Sequence, residues 1–191
     1  MKWVVAAALV FFLVAPGLGV AAEGDAVMPD RTKLGEFVPS SQPFPAPIIS
    51  LTDGDGHTLE LSELRCKLVI VNLWATWCEP CLREMPSLER LQSRLGERIA
   101  VLAVSEDRGG NKTVEPFIAK LGLKSVKTYI DPKSEVGHAF GARGLPTSFL
   151  IDREGKVLGR VEGAAEWDSP KILGVLEPLL SGDGVVKASF R

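Results

Sequence analysis

Little in this sequence can hold a metal or grip a polyanion. Three cysteines and two histidines in 191 residues are too few ligands for two structural zinc sites, and the one close pair of soft ligands is Cys78 with Cys81. Basic and acidic residues nearly cancel, 22 against 24, leaving a formal charge of −2. No strong field therefore draws the chain toward nucleic acid or anionic lipid. There is no internal repeat, and 46% hydrophobic with 24% charged content excludes a disordered, collagen-like or multi-span membrane protein. What is left is one globular domain in which the Cys-x-x-Cys pair makes redox chemistry the first candidate.

The amino terminus is not part of that domain. Trp3 to Ala15 is an unbroken apolar run behind Lys2, followed by Pro16-Gly17 and by Val20-Ala21-Ala22, with small residues suited to cleavage after Ala22. The other reading is an uncleaved anchor, since Trp3 to Ala22 is uncharged and a span needs about 20 residues. Pro16, Gly17 and Gly19 favour the cleaved signal, because they interrupt a helix where an anchor needs continuity. Both readings export the rest of the chain, and no cysteine follows the run closely enough for a lipoprotein. The expected division is 1–22 signal or anchor, 23–47 a proline-rich linker, 48–182 the domain and 183–191 a tail.

Within the domain, Ile48 to Thr52 and His57 to Leu61 flank Asp53-Gly54-Asp55-Gly56, the pattern of a hairpin. Leu68 to Trp74 is apolar and rich in β-branched residues, as a strand covered on both faces must be. Leu82, Met85, Leu88, Leu91 and Leu95 recur at helical spacing up to Gly96, with Pro86 expected to kink the helix. Strands are expected at Ile99 to Val104 and Lys127 to Ile130, and helices at Thr113 to Leu121, with Thr113 as N-cap, and at Ser134 to Phe140. A second hairpin, Thr147 to Ile151 with Lys156 to Val161, precedes a helix opened by Ser169-Pro170. This order predicts an α/β fold, a mixed sheet with helices on both faces.

Trp77-Cys78-Glu79-Pro80-Cys81 joins the central strand to its helix, which places Cys78 at a helix N-terminus among unpaired N–H groups that stabilise a thiolate. Cys78 is then the attacking thiol and Cys81, one turn along toward the core, the resolving one. Glu79 sets a carboxylate beside Cys78 and opposes that thiolate. A strong oxidant is one whose reduced form is stabilised, so the pair is expected on the reducing side.

The stretch VNLWATWCEPCLREMP (Val71 to Pro86), with GLPTSFLID (Gly144 to Asp152) after it, resembles the thioredoxin-like proteins of the TlpA/ResA type. SEDRGG (Ser105 to Gly110) and GAAEWDSP (Gly163 to Pro170) look more like TlpA than like the cytochrome c maturation branch. The resemblance implies a thioredoxin fold with an added N-terminal hairpin and a central insertion, working outside the bacterial cytoplasmic membrane, in the periplasm. It implies a cis Leu145-Pro146 bond beside the disulfide, where the Leu145 backbone pairs with an extended substrate segment and Trp77 forms an apolar shoulder. It also marks a departure: Asn72 stands where cytoplasmic thioredoxins carry a buried Asp that helps deprotonate the resolving thiol. Asn is no base, which leaves Glu106, Asp107 or water for that task. Glu79, Pro80, Asn72 and Glu106 are thus the residues expected to tune the pair.

The expected partners are protein thiols and disulfides, together with a membrane thiol oxidoreductase that returns electrons; no cofactor, metal or nucleic acid is expected. By the resemblance, targets lie in cytochrome oxidase assembly, at the cysteines of the copper site, or in cytochrome c maturation. A different class is a Cu(I)-binding metallochaperone that uses the same two cysteines as soft ligands. A peroxiredoxin is disfavoured, because residues 71–78 lack the proline and threonine that activate a peroxidatic cysteine in that branch. Cys66 reads as a buried free thiol, His57 and His138 as surface residues, and Trp167 as core.

Overall fold

The computed structural model describes residues 35–181; the signal or anchor expected at 1–22, the start of the linker and the tail expected at 183–191 lie outside them. Nine of the residues expected in the linker pair into the sheet instead. Strand β1 (Phe37–Pro45) runs antiparallel to β8 (Lys156–Glu162), from Phe37 opposite Val161 to Pro45 opposite Lys156. Proline cannot donate to a ladder, but an edge strand needs donors on one side only, so Pro39, Pro43 and Pro45 are tolerated there. Close approach is secured by Gly159, whose Cβ would stand 2.4 Å from the Val38 carbonyl.

The remaining elements follow the sequence pattern closely. A small hairpin, β2 (Ser50–Thr52) and β3 (Thr58–Glu60), leads to the central strand β4 (Leu68–Trp74), and helix α1 (Glu79–Leu95) returns to β5 (Ile99–Ser105). Helix α2 (Asn111–Leu121), β6 (Lys127–Ile130), α3 (Glu135–Phe140), β7 (Thr147–Ile151), β8 and α4 (Pro170–Ser181) complete the order. The sheet runs β1-β8-β7-β4-β5-β6, with β4, β5 and β6 parallel and the other pairings antiparallel. Pro86 lies inside α1 without ending it.

Because strand side chains alternate, β4 feeds two cores. Leu68, Ile70 and Trp74 face α1, α2 and α4, where Met85, Leu88, Val114 and Leu176 meet them. Val69, Val71 and Leu73 face the other side, packed with α3 and with Leu51 of the hairpin, and there Phe140 stacks on Phe149 at 4.7 Å between ring centres. Helices therefore cover both faces of a mixed sheet, as expected.

Two local expectations are corrected. Thr113 is not the cap of α2: Gly110, at φ +61°, turns the chain early and the helix begins at Asn111. Cys66 is not buried: it is exposed, with φ +75°, in the turn entering β4, its N–H donating to the Arg153 carbonyl. A left-handed turn position on the surface points its side chain at solvent. With the other two cysteines joined to each other, maleimide treatment of the unreduced protein is expected to add one label per chain, at Cys66, measured by intact mass.

Candidate active site

The parallel strands β4 and β5 end at the same edge, and chain leaving that edge builds the site. Helix α1 starts there with Cys78 as its N-cap, and the Cys78 Sγ accepts the Cys81 N–H at 3.3 Å. Cys78 and Cys81 form a disulfide with Cα atoms 5.3 Å apart. Trp77, just before them, is 70% exposed, a large apolar surface beside the sulfurs.

Register brings the second part of the site to the first. Leu73 of β4 pairs with Thr147 of β7, so Pro146, one residue earlier, arrives beside the turn that leaves β4 for Cys78. The Leu145–Pro146 bond is cis, Pro146 is buried and Leu145 half-buried. The Pro146 carbonyl accepts the Gly163 N–H at 2.9 Å, which ties this loop to the segment after β8.

The residues expected to tune the pair fall differently from the sequence reading. Glu79 points into solvent and pairs with Arg83 at 2.9 Å, so water and a guanidinium both weaken its field at Cys78. Pro80 occupies the first turn of α1, where a missing N–H costs nothing. Glu106, the candidate base, lies on the other face of the sheet. It accepts a hydrogen bond from Ser134 of the α3 turn at 2.9 Å, and one carboxylate oxygen crowds Gly137 beside Leu73. Burial, with Asp131 nearby, pushes its carboxyl upward, but Asn72 and Cys81 belong to the opposite side. Asp107 is buried and braces the loop instead: it accepts the Thr76 N–H at 2.8 Å, the Thr76 hydroxyl at 2.6 Å and the Ser105 hydroxyl at 2.7 Å.

The carboxylate on the Cys81 side is Glu84, 2% exposed. Asn72 Nδ2 donates to its Oε1 at 2.8 Å and to Ser148 Oγ at 2.8 Å; Ala165 N and Trp167 Nε1 donate to its Oε2 at 2.9 and 3.1 Å. Asn72 Oδ1 is buried without a partner. Burial pushes the Glu84 carboxyl up to about 7, against the lowering effect of these donors. The sequence carried a signal for it. Glu84 lies three residues after Cys81 and four before Leu88, inside the buried stripe of α1 and not among its solvent-facing charges.

The chain is similar to known proteins. Residues 44–160 match the AhpC/TSA family. The chain belongs to that family. Over 119 residues it is 37% identical to the thiol-disulfide oxidoreductase ResA of Bacillus anthracis, covering 62% of this chain and 68% of ResA. ResA of Geobacillus kaustophilus is 39% identical over 121 residues, 62% of this chain and 67% of that protein. Among solved structures, one described as the thiol:disulfide interchange protein DsbE of Chlorobium tepidum superposes with a TM-score of 0.67 at 29% identity, covering 73% of this chain and 97% of DsbE. The exposed lipoprotein thioredoxin of Streptococcus pneumoniae gives a TM-score of 0.61 at 29% identity, covering 69% of this chain and 99% of that one. This AhpC/TSA family member has the thioredoxin fold and is a thiol-disulfide oxidoreductase.

Proposed function

We propose that this protein reduces disulfides in other exported proteins. The observation that carries the direction is the sparse support of Cys78: among the described residues its Sγ accepts one hydrogen bond, from the Cys81 amide. The charged residue next to it, Glu79, is acidic, and the nearby Arg83 is taken up by it, so no cation adds the thiolate stabilisation that makes a strong oxidant. Cys78 thiolate attacks a substrate disulfide, one substrate sulfur leaves as thiolate, and a mixed disulfide forms. Cys81 then attacks Cys78 Sγ, which releases the second substrate thiolate and leaves Cys78–Cys81 oxidised. Two electrons pass to the substrate, and a membrane thiol oxidoreductase restores the dithiol by the reverse exchange.

Each surrounding residue takes a role in this scheme. Trp77, Leu145 and Pro146 form the groove for an extended substrate segment, with free backbone groups of Leu145 pairing to it. Glu84 takes the proton of Cys81, the task Asn72 cannot perform and Glu106 is on the wrong face to perform. A carboxyl near 7 is matched to that transfer at neutral pH.

Export follows from the apolar segment 3–22, read as a cleaved signal or an anchor facing the periplasm, and is supported by the exposed lipoprotein among the structural relatives. The resemblance to TlpA points to targets in cytochrome oxidase copper-site assembly or cytochrome c assembly, and the ResA relatives, named as thiol-disulfide oxidoreductases, support the exchange chemistry itself. The test is the equilibrium reduction potential of the pair, with capture by Cys81→Ser. A potential near or below about −270 mV and a covalent mixed disulfide with an exported protein are expected. A potential near about −120 mV would mean that the protein inserts disulfides instead. Cu(I) bound tightly by the dithiol, with no disulfide reduction, would replace the reading by that of a metallochaperone.

A further inference from the structure

The segment Gly163–Pro170, GAAEWDSP, supplies two of the donors to Glu84. In the fold it is a strap from β8 to α4 that passes over α1. Gly163 N donates to the Pro146 carbonyl, and Ser87 Oγ, whose hydroxyl donates to the Glu84 carbonyl at 2.7 Å, accepts the Trp167 N–H at 3.0 Å. On the outside, Arg90 holds Asp168 through two nitrogens, at 2.6 and 3.0 Å, and Glu166 at 2.6 Å. These contacts hold the Trp167 indole, 3% exposed, with its N–H on Glu84 Oε2.

The two oxygens of Glu84 are consequently unlike. Oε2 faces two N–H donors, neither of which can accept, so a proton placed there would point at another proton. Oε1 faces Asn72, whose unpartnered Oδ1 becomes an acceptor for it when the amide turns over. We propose that Trp167 is a positioning residue for thiol-disulfide exchange: its indole N–H, with the Ala165 amide, confines the exchangeable proton of Glu84 to Oε1 and sets how strongly Glu84 draws the Cys81 proton. The proposal rests on Glu84 acting as the base for Cys81.

No other charge competes for this control among the groups that hold Glu84. Asn72 from β4 is neutral, as are Ser148 of β7, to which Asn72 also donates, and Ser87, which bonds the Glu84 backbone carbonyl; the acidic residues of the strap are paired with Arg90. The titratable neighbour on α1 is Cys81 itself, which in the oxidised protein has no proton to exchange. A hydrogen bond given only to the carboxylate lowers its proton affinity, so loss of the indole N–H raises it.

The experiment is a carbon NMR titration of the Glu84 carboxyl in the oxidised full chain, for wild type and Trp167→Phe. A second variant carries benzothienylalanine at position 167, which keeps the two-ring shape and replaces N–H by sulfur. In both, the Glu84 midpoint is expected about one pH unit higher, a tenfold change in proton affinity, and the pH profile of exchange should move by the same amount. Packing alone would lower thermal stability in Trp167→Phe and leave the midpoint of the benzothienyl protein where it was, and that result overturns the proposal. Glu84→Gln separates the two readings. If its exchange profile matches wild type, Glu84 is not the base; if its profile collapses while the position 167 variants titrate like wild type, the indole has no hold on it.

Discussion

Glu84→Gln is expected to slow thiol-disulfide exchange about 100-fold at pH 7, within the range general-base groups contribute, and to abolish the rise of rate through neutral pH. Stopped-flow reduction of a protein disulfide across pH 5 to 9 measures both. The same substitution has an opposite effect on stability, and the sign follows from the direction of the shift. Folded Glu84 holds its proton up to about 7, whereas a free Glu releases it near 4.5. Between these values the native state binds more protons than the unfolded state, so stability falls as pH rises and the full cost is present above about 7. That difference corresponds to roughly 3 kcal/mol, or several degrees in melting temperature for a domain of this size. Oxidised Glu84→Gln should therefore melt near wild type at pH 4 and well above it at pH 8. A constant gap across that range would show that Glu84 does not titrate as its burial dictates.

The second large effect is expected at Asp107. Its carboxylate receives the backbone and hydroxyl of Thr76 and the hydroxyl of Ser105, and Thr76 directly precedes Trp77 and Cys78. Asp107→Ala leaves a buried N–H and two hydroxyls without an acceptor, at a cost of about 3 kcal/mol, with hydrogen bonds to a charged group the dominant loss. Denaturant unfolding measures that cost. The catalytic consequence is distinct from the one at Glu84: loosening the Thr76 loop misplaces the Trp77 shoulder, so KM for a protein substrate should rise several-fold while the pH midpoint of exchange stays put. Asp107→Asn, which keeps one oxygen for the Thr76 amide, should recover part of both losses.

Much of this protein is legible in its sequence. The Cys-x-x-Cys pair at a strand-to-helix junction, the run Leu68 to Trp74 and the helical stripe from Leu82 to Leu95 all rest on local spacing, and periodicity reports local structure directly. The strand Phe37–Pro45 was hidden because prolines suppress a strand signal, and only an available sheet edge makes them acceptable. Cys66 reads as buried from its side-chain chemistry, whereas a left-handed backbone in a surface turn decides its exposure.

The composition and spacing of the chain by themselves determined that it makes an α/β domain with a reactive pair of cysteines at a helix start. Tertiary structure decided which of the three carboxylates lies on the Cys81 side of the sheet and what holds it there. Glu84, Glu106 and Asp107 are equally acidic as letters, and their roles diverge because β4 turns Asn72 toward one core and Leu73 toward the other. Glu84 meets Asn72, Ala165 and Trp167 from elements up to 83 residues away, Glu106 is left on the far side, and Asp107 is spent on Thr76. Such contacts between distant segments leave no periodic trace in a sequence, because they depend on strand order and on which side of the sheet each crossover packs.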